Sequence, residues 1–210
     1  MNILIPSLTR GFYFCIMEKE KNIKIISSTL LSDNWGELRK VKYDFKLNDG
    51  TWQQQEREVY DRGNGAVILL YNKDKGTVIL TRQLRIPTWF NGNEDGMMIE
   101  ACAGVLDEND PEECIKRETQ EETGYKVTEV KKIMEVYMSP GSVTEIIYFF
   151  TGAYADDMKI SEGGGVEGEH ENIEVLEIQF IQALQMVESG EIKDAKTIML
   201  LQYAKINDLV

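Results

Sequence analysis

The chain is poor in the residues that build several common kinds of site. It holds one histidine, three cysteines and four prolines in 210 residues, and it contains no run of basic residues. The lone His170 has no partner histidine and is assigned no metal role. Cys15, Cys102 and Cys114 have no metal-ligand spacing and form no even set, which excludes a disulfide scaffold and points to a reduced, cytoplasmic setting. The net charge is −13, with a pI near 4.6. With no basic run to meet a phosphate backbone, nucleic-acid and anionic-membrane binding are disfavoured. A small phosphorylated ligand stays compatible, because it needs only a few local cations and a metal. No internal repeat, low-complexity tract or long Pro/Ser linker occurs. The apolar stretch of residues 1–17 is too short and interrupted to span a membrane. It has one early cation, Arg10, and no small-residue cleavage site before Glu18, so a signal peptide is disfavoured and Met17 is an alternative functional beginning.

Residues 103–125, AGVLDENDPEECIKRETQEETGY, are the most informative stretch. Glu118, Glu121 and Glu122 fall within five residues of an expected helix. At about 100° per residue, Glu122 lies roughly 40° from Glu118 and Glu121 roughly 60° to the other side, so all three are expected on one face. Asp110 is placed as N-cap with Pro111 in the first turn, and Gly124 suits a left-handed stop. Like charges at this spacing repel, and a hard cation such as Mg²⁺ would neutralise them. Arg117, four residues before Glu121, is spaced to hold that carboxylate. A solvated acidic face is the plain alternative, and the whole capped string argues against it.

Period and punctuation give the coarse organisation. Residues 23–31 are expected as a strand, with a hairpin over 35–47 and 51–61 across Asn48-Asp49-Gly50. AVILLYN and TVILTRQLR follow as apolar strands, then MMIEACAG as one strand leading into the acidic helix. Further strands are expected in 127–138, 144–154 and 173–180. Helices are expected over 181–190, stopped by Gly190, and over 194–206, capped by Asp194. Met97, Met98, Met134 and Met138 read as core packing. The class is α/β around a mixed sheet.

The acidic stretch resembles the signature of the Nudix hydrolases at Gly104, Arg117-Glu118, Glu121-Glu122 and Gly124. It departs from that signature in three ways. Asp110 stands for the first glutamate, the spacing before Arg117 is one residue short, and Thr119 and Tyr125 occupy the two aliphatic positions. The resemblance extends from about Leu30 to the C-terminal region and is closest to the GDP-mannose pyrophosphatase subfamily. Segments that carry it are LSDNW, REVYDRGNGAVILLYN, RQLRIPTWFNGNEDG, YMSPGSVTE, GGGVEGE, IEVLE and GEIKDAKT. It implies an α/β/α sandwich with an N-terminal antiparallel β lobe. The division would be an extension over 1–20, expected to be disordered, a β lobe over 21–62 and the hydrolase domain over 63–210.

The implied reaction is Mg²⁺-dependent hydrolysis of GDP-mannose to GMP and mannose 1-phosphate, with Mn²⁺ as the other candidate ion. ADP-ribose or another nucleoside diphosphate sugar is the alternative substrate. A non-catalytic Nudix sensor is disfavoured because all three helix glutamates remain. The resemblance implies metal ligation by Glu118, Glu122, Glu169 and the Ala103 carbonyl. Glu121 would support the site through Arg117 or bind a second metal, and Glu169 would be the general base, with Glu167 and Glu171 as rivals. Glycines 163–165 and 168 would let that loop close over substrate. Substrate contacts are expected from Trp35, Glu56, Arg57, Glu58, Arg85, Ala103, Gly104, Val105, Glu122, Glu145, Gly168, Glu169 and Lys196. The subfamily also implies a homodimer whose swapped N-terminal lobe supplies Trp35 and Arg57 to the partner's pocket.

Overall fold

The computed structural model describes residues 22–106, 110–166 and 172–210, and these form two units. The extension over 1–20 lies outside the described residues. In the first unit, strands β1 (Ile23–Asp33), β2 (Glu37–Lys46) and β3 (Trp52–Asp61) make an antiparallel sheet in that order. The β2–β3 turn forms where Asn48-Asp49-Gly50 places it. Asp49 Oδ1 accepts the Thr51 amide at 2.9 Å, and Gly50 takes φ of 86°. Residues 137–145 belong to this unit, tied to the end of β3 by the Tyr60 amide on Ser142 O and the Thr144 amide on Tyr60 O. Ile23, Ile25, Ile26, Leu30 and Leu31 of β1 are exposed in the single chain.

The second unit is built on a seven-stranded mixed sheet. Its strands are β4 (Gly65–Asn72), β5 (Thr77–Leu84), β6 (Met97–Glu100), β7 (Ala103–Val105), β8 (Lys131–Tyr137), β9 (Ile146–Ala153) and β10 (Glu174–Gln179). The central path runs β10-β5-β4-β9-β8. β4 runs parallel to β9 along seven registered positions, from Gly65↔Ile147 to Tyr71↔Ala153. Its residues 65–70 are all buried, as a strand covered on both faces requires.

Helix α1 (Ile86–Trp89) is a single turn after β5. Helices α2 (Pro111–Glu118) and α4 (Ala195–Ile206) both pack on β4, and α3 (Phe180–Ser189) packs on β5 and β10. Ala66, Ile68 and Leu70 of β4 join Ile115 of α2, Tyr125, Val127 and Phe150 in one buried cluster. Side chains alternate across a strand, so Val67 and Leu69 take the opposite face. Leu200, Leu201 and Ala204 are the buried positions of α4. The result is an α/β/α sandwich.

The site is positioned by a rift in this sheet. β4 and β5 pair only over Leu70–Asn72 with Ile79–Thr77. Beyond that they separate, and the chain expected as one strand, MMIEACAG, fills the gap as two. Met97–Glu100 pairs with β5, whereas Ala103–Val105 pairs with β4. Ala101-Cys102 makes the crossing, with the Cys102 carbonyl accepting the Ile68 amide at 2.9 Å.

A second departure lies in the acidic helix. Asp110 caps it as expected, its Oδ1 accepting the Glu112 amide at 2.9 Å. The α-helix ends at Glu118, however, and Thr119–Thr123 form a π turn that closes at Gly124 with φ of 79°. Thr119 Oγ1 donates to Ile115 O at 2.6 Å, and Thr123 Oγ1 donates to Thr119 O. Such back-bonding by hydroxyls competes for helix carbonyls and bends the helix. The wider turn replaces the spacing that put three carboxylates on one face.

Candidate active site

Glu118, Glu121 and Glu122 stay close together but point differently. Arg117 holds two of them: one terminal nitrogen lies 2.9 Å from Glu118 Oε1 and the other 3.0 Å from Glu121 Oε2. The expected Arg117–Glu121 pair is present, and Glu118 shares the same guanidinium. Glu122 instead turns inward. It is 3% exposed, and its Oε2 accepts the Ala103 amide at 3.3 Å.

Gly104 explains the placement of Glu118. A methyl there would overlap Cγ and Cδ of Glu118 and sit 2.5 Å from its Oε1. The absent side chain is the space the carboxylate occupies. Residues 103 and 104 of β7 therefore meet Glu122 and Glu118 respectively. The rift delivers the strand, the π turn delivers Glu122, and both acids converge on the start of β7.

Cys102 lies fully buried at the same point. Burial raises its thiol pKa well above the ordinary value, and the charges of Glu122 and Glu118 push it the same way. Burial is the larger cause, and the negative potential of both carboxylates adds to it. Burying carboxylates costs several kcal/mol per ion unless a cation compensates. Oxygen donors of this kind suit a hard divalent ion rather than a soft one. Glu118, Glu122 and the neighbouring Ala103 carbonyl therefore fit such an ion in donor type. Among the described residues no group of three His, Cys, Asp or Glu side chains is assembled for a metal. Glu167, Gly168, Glu169, His170 and Glu171 lie outside the described residues.

The segment leading to Glu169 is tied to the acids by its backbone. Gly164 N donates to Glu122 O at 2.8 Å, and Gly165 N donates to Glu121 O at 3.1 Å. Gly163 and Gly124 face each other with positive φ, and a methyl on Gly163 would lie 2.6 Å from the Thr123 carbonyl carbon and 2.8 Å from Gly124 N. Glycines 163–165 were expected to make a hinge. In the structure Gly163 serves close backbone packing, which only a residue lacking Cβ permits, and Gly164 and Gly165 hold positive φ of 104° and 91°.

The other expected contact residues fall into two groups. In the second unit, Arg85 Nε donates to Glu100 Oε2 at 2.6 Å. Lys196 lies 2.5 Å from Asp194 Oδ1 and 4.0 Å from Glu100 Oε1. Glu100 was not singled out in the sequence; the only sign was a lone charge at the end of an apolar strand. Val105 ends β7, exposed.

In the first unit, Trp35 sits in the β1–β2 turn, 70% exposed, with the Arg62 guanidinium 5.4 Å from its ring centre. Arg62 Nε also donates to Glu145 Oε1 at 2.8 Å, and its terminal nitrogen bonds the same oxygen. Arg62 is a second residue that sequence reasoning missed, and it joins two of the expected contacts. Glu56, Arg57 and Glu58 lie exposed on β3. Glu56 pairs with Lys40 at 2.8 Å, and an Arg57 terminal nitrogen donates to the Glu56 carbonyl.

Comparison with known proteins gives two family matches. Residues 22–60 match the family model described as "GDP-mannose pyrophosphatase NudK N-terminal domain", and residues 61–200 match the NUDIX domain. The chain is 56% identical over 190 residues to a GDP-mannose pyrophosphatase of Salmonella arizonae, covering 90% of this chain and 98% of that protein. It is 58% identical over 185 residues to the GDP-mannose pyrophosphatase of Yersinia pestis, covering 88% and 92%. It is 53% identical over 189 residues to that of Klebsiella pneumoniae, covering 90% and 94%. The domain match spans the rift, the π turn and the paired carboxylates at β7, and on these grounds the chain belongs to the Nudix hydrolase family.

Proposed function

We propose that this protein hydrolyses the diphosphate of GDP-mannose to GMP and mannose 1-phosphate with Mg²⁺. The observation that carries this reading is the convergence of Glu118 and Glu122 on Gly104 and Ala103, in a chain similar over most of its length to proteins named GDP-mannose pyrophosphatase. A bound divalent ion would polarise phosphoryl oxygens and acidify a water. Glu118, Glu122, Glu169 and the Ala103 carbonyl would hold it. Arg117 fixes the rotamers of Glu118 and Glu121. Glu169, four residues beyond Gly165, takes the proton of the attacking water on a carboxylate oxygen. The new phosphorus–oxygen bond replaces the bridging one. Arg85 and Lys196 meet the diphosphate, for which a guanidinium fork and an ammonium are suited.

Trp35 stacks on the base, and Glu145 meets sugar hydroxyls. Glu56, Arg57 and Glu58 contact base and phosphate. Gly104, Val105 and Gly168 supply backbone contacts. In this reading the protein is a cytoplasmic homodimer, each N-terminal lobe (residues 21–62) completing the partner's hydrolase domain (63–210). The exposed aliphatic side chains of β1 support it, since such a surface is uncommon on a free monomer. Among the described residues no helix is long and apolar enough to cross a membrane.

The test is a panel of GDP-mannose, GDP-glucose and ADP-ribose with Mg²⁺ in ¹⁸O-labelled water, products identified by mass. The expected result is preference for GDP-mannose with label in one phosphate product. Preferential turnover of ADP-ribose would overturn the substrate assignment, and a monomer active at full rate would overturn the dimer.

A further inference from the structure

We infer that Glu100 is a positioning residue that aims Arg85, with Lys196, at the diphosphate of the substrate; this rests on the reading that the site takes a nucleoside diphosphate sugar. The Glu100 side chain is 7% exposed at the end of β6, where two cations approach it. Arg85 offers it Nε at 2.6 Å, the side edge of the guanidinium. The guanidinium's remaining nitrogens have no protein partner among the described residues, and the side chain is 41% exposed. A carboxylate bound at Nε leaves the terminal fork presented outward, the edge that grips phosphate bidentately.

Lys196 approaches the other oxygen of Glu100 from the first turn of α4. Its reach is set by Asp194, which bonds Lys196 and also caps the helix through the Thr197 amide and hydroxyl. Thr197 Oγ1 in turn accepts the Ala101 amide at 2.7 Å, which docks the helix start on the residue after Glu100. The Ala103 amide meets Glu122, so the residue that holds the cations and the residue that meets the acid are three positions apart, their backbones separated by at most about 10 Å. Cations and acids gathered on one short run of chain suit a ligand whose phosphates lie between cationic side chains and a metal. A buried carboxylate that served packing alone would be better replaced by an apolar group; Glu100 instead gathers two cations from β5–α1 and α4.

The test is a double-mutant cycle of Glu100→Gln and Arg85→Gln on the full chain. Dissociation constants are measured calorimetrically for GDP-mannose, ADP-ribose and inorganic pyrophosphate in EDTA, with kcat and KM measured in Mg²⁺. Each single variant is expected to weaken binding about tenfold, with the loss in KM more than kcat, and the double variant to bind worse than Arg85→Gln by clearly less than the Glu100→Gln loss alone. Glu100→Asp, which keeps the charge but withdraws it, is expected to weaken binding similarly and covers a misfolded amide variant. Wild-type affinity in Glu100→Gln, or losses that multiply in the double variant, would overturn the inference and leave the substrate reading standing. A wild type that binds ADP-ribose but not GDP-mannose would overturn the substrate reading, and the cycle on ADP-ribose would then decide the role of Glu100. A wild type that binds none of the three would overturn both.

Discussion

Glu118 folds its carboxylate over Gly104, in the volume a β-carbon on that residue would fill. The three nearest atoms to such a carbon all belong to the Glu118 side chain, not to a second stretch of backbone. Gly104→Ala is therefore expected to displace Glu118 from the acid pair while costing the fold about 1 kcal/mol or less. Turnover should fall at least about tenfold, since misplacing a catalytic group is expensive even at small displacements. Steady-state kinetics beside a melting curve checks this; unchanged turnover would mean Glu118 has no part in the chemistry.

Glu122→Gln is expected to lower kcat by about a hundredfold or more, as loss of a metal-binding carboxylate should. The amide oxygen can still accept the Ala103 amide, so the melting temperature should change little. EDTA should abolish turnover of the wild type, and Mg²⁺ should restore it. A Glu122→Gln enzyme with normal kcat would remove this residue from the site.

Gly124 and Gly163 press backbone on backbone, both with positive φ. Alanine at either position meets fixed atoms and a left-handed conformation, costing together about 2 kcal/mol or more. Gly141→Ala is the control: its added carbon meets nothing within 4 Å, and the expected change is within about 0.5 kcal/mol. Chemical denaturation of the three variants measures the contrast, and equal stabilities would contradict the packing described.

Cys102 and Cys114 are both buried. The attacking species in disulfide exchange is the thiolate, and burial with the nearby carboxylates raises the Cys102 pKa. In a Cys15→Ser variant, no thiol should react with Ellman's reagent (DTNB) at neutral pH until denaturant is added, when two should. Rapid native labelling at residue 102 would mean the thiol is not buried beside the acid pair.

Much of this was legible in the sequence because it is local. Asn48-Asp49-Gly50 specifies its own turn, Asp194 caps the helix it precedes, and the apolar runs of β4 and β5 need only themselves to be read. The α/β class, the Nudix signature and the substrate class of its relatives followed from such segments. Three features were not legible. MMIEACAG is continuous in composition, so nothing in it marks the change of partner at Ala101-Cys102; that is decided by β4 and β5 separating. The π turn follows from where the hydroxyls of Thr119 and Thr123 find carbonyls, not from a repeat. Arg62 meets Glu145 across 83 positions, and Glu100 meets Lys196 near the C-terminus, pairings that only the fold creates.

The two-residue crossing at Ala101-Cys102 also limits how this protein can vary. Side chains alternate from one surface of a strand to the other, so inserting or deleting one residue there would reverse either β6 or β7. Glu100 would then lose its cations, or Ala103 and Gly104 would lose Glu122 and Glu118. Length changes that retune ligand choice must therefore fall outside this hinge point, and a library aimed at new sugar nucleotides should hold its length constant.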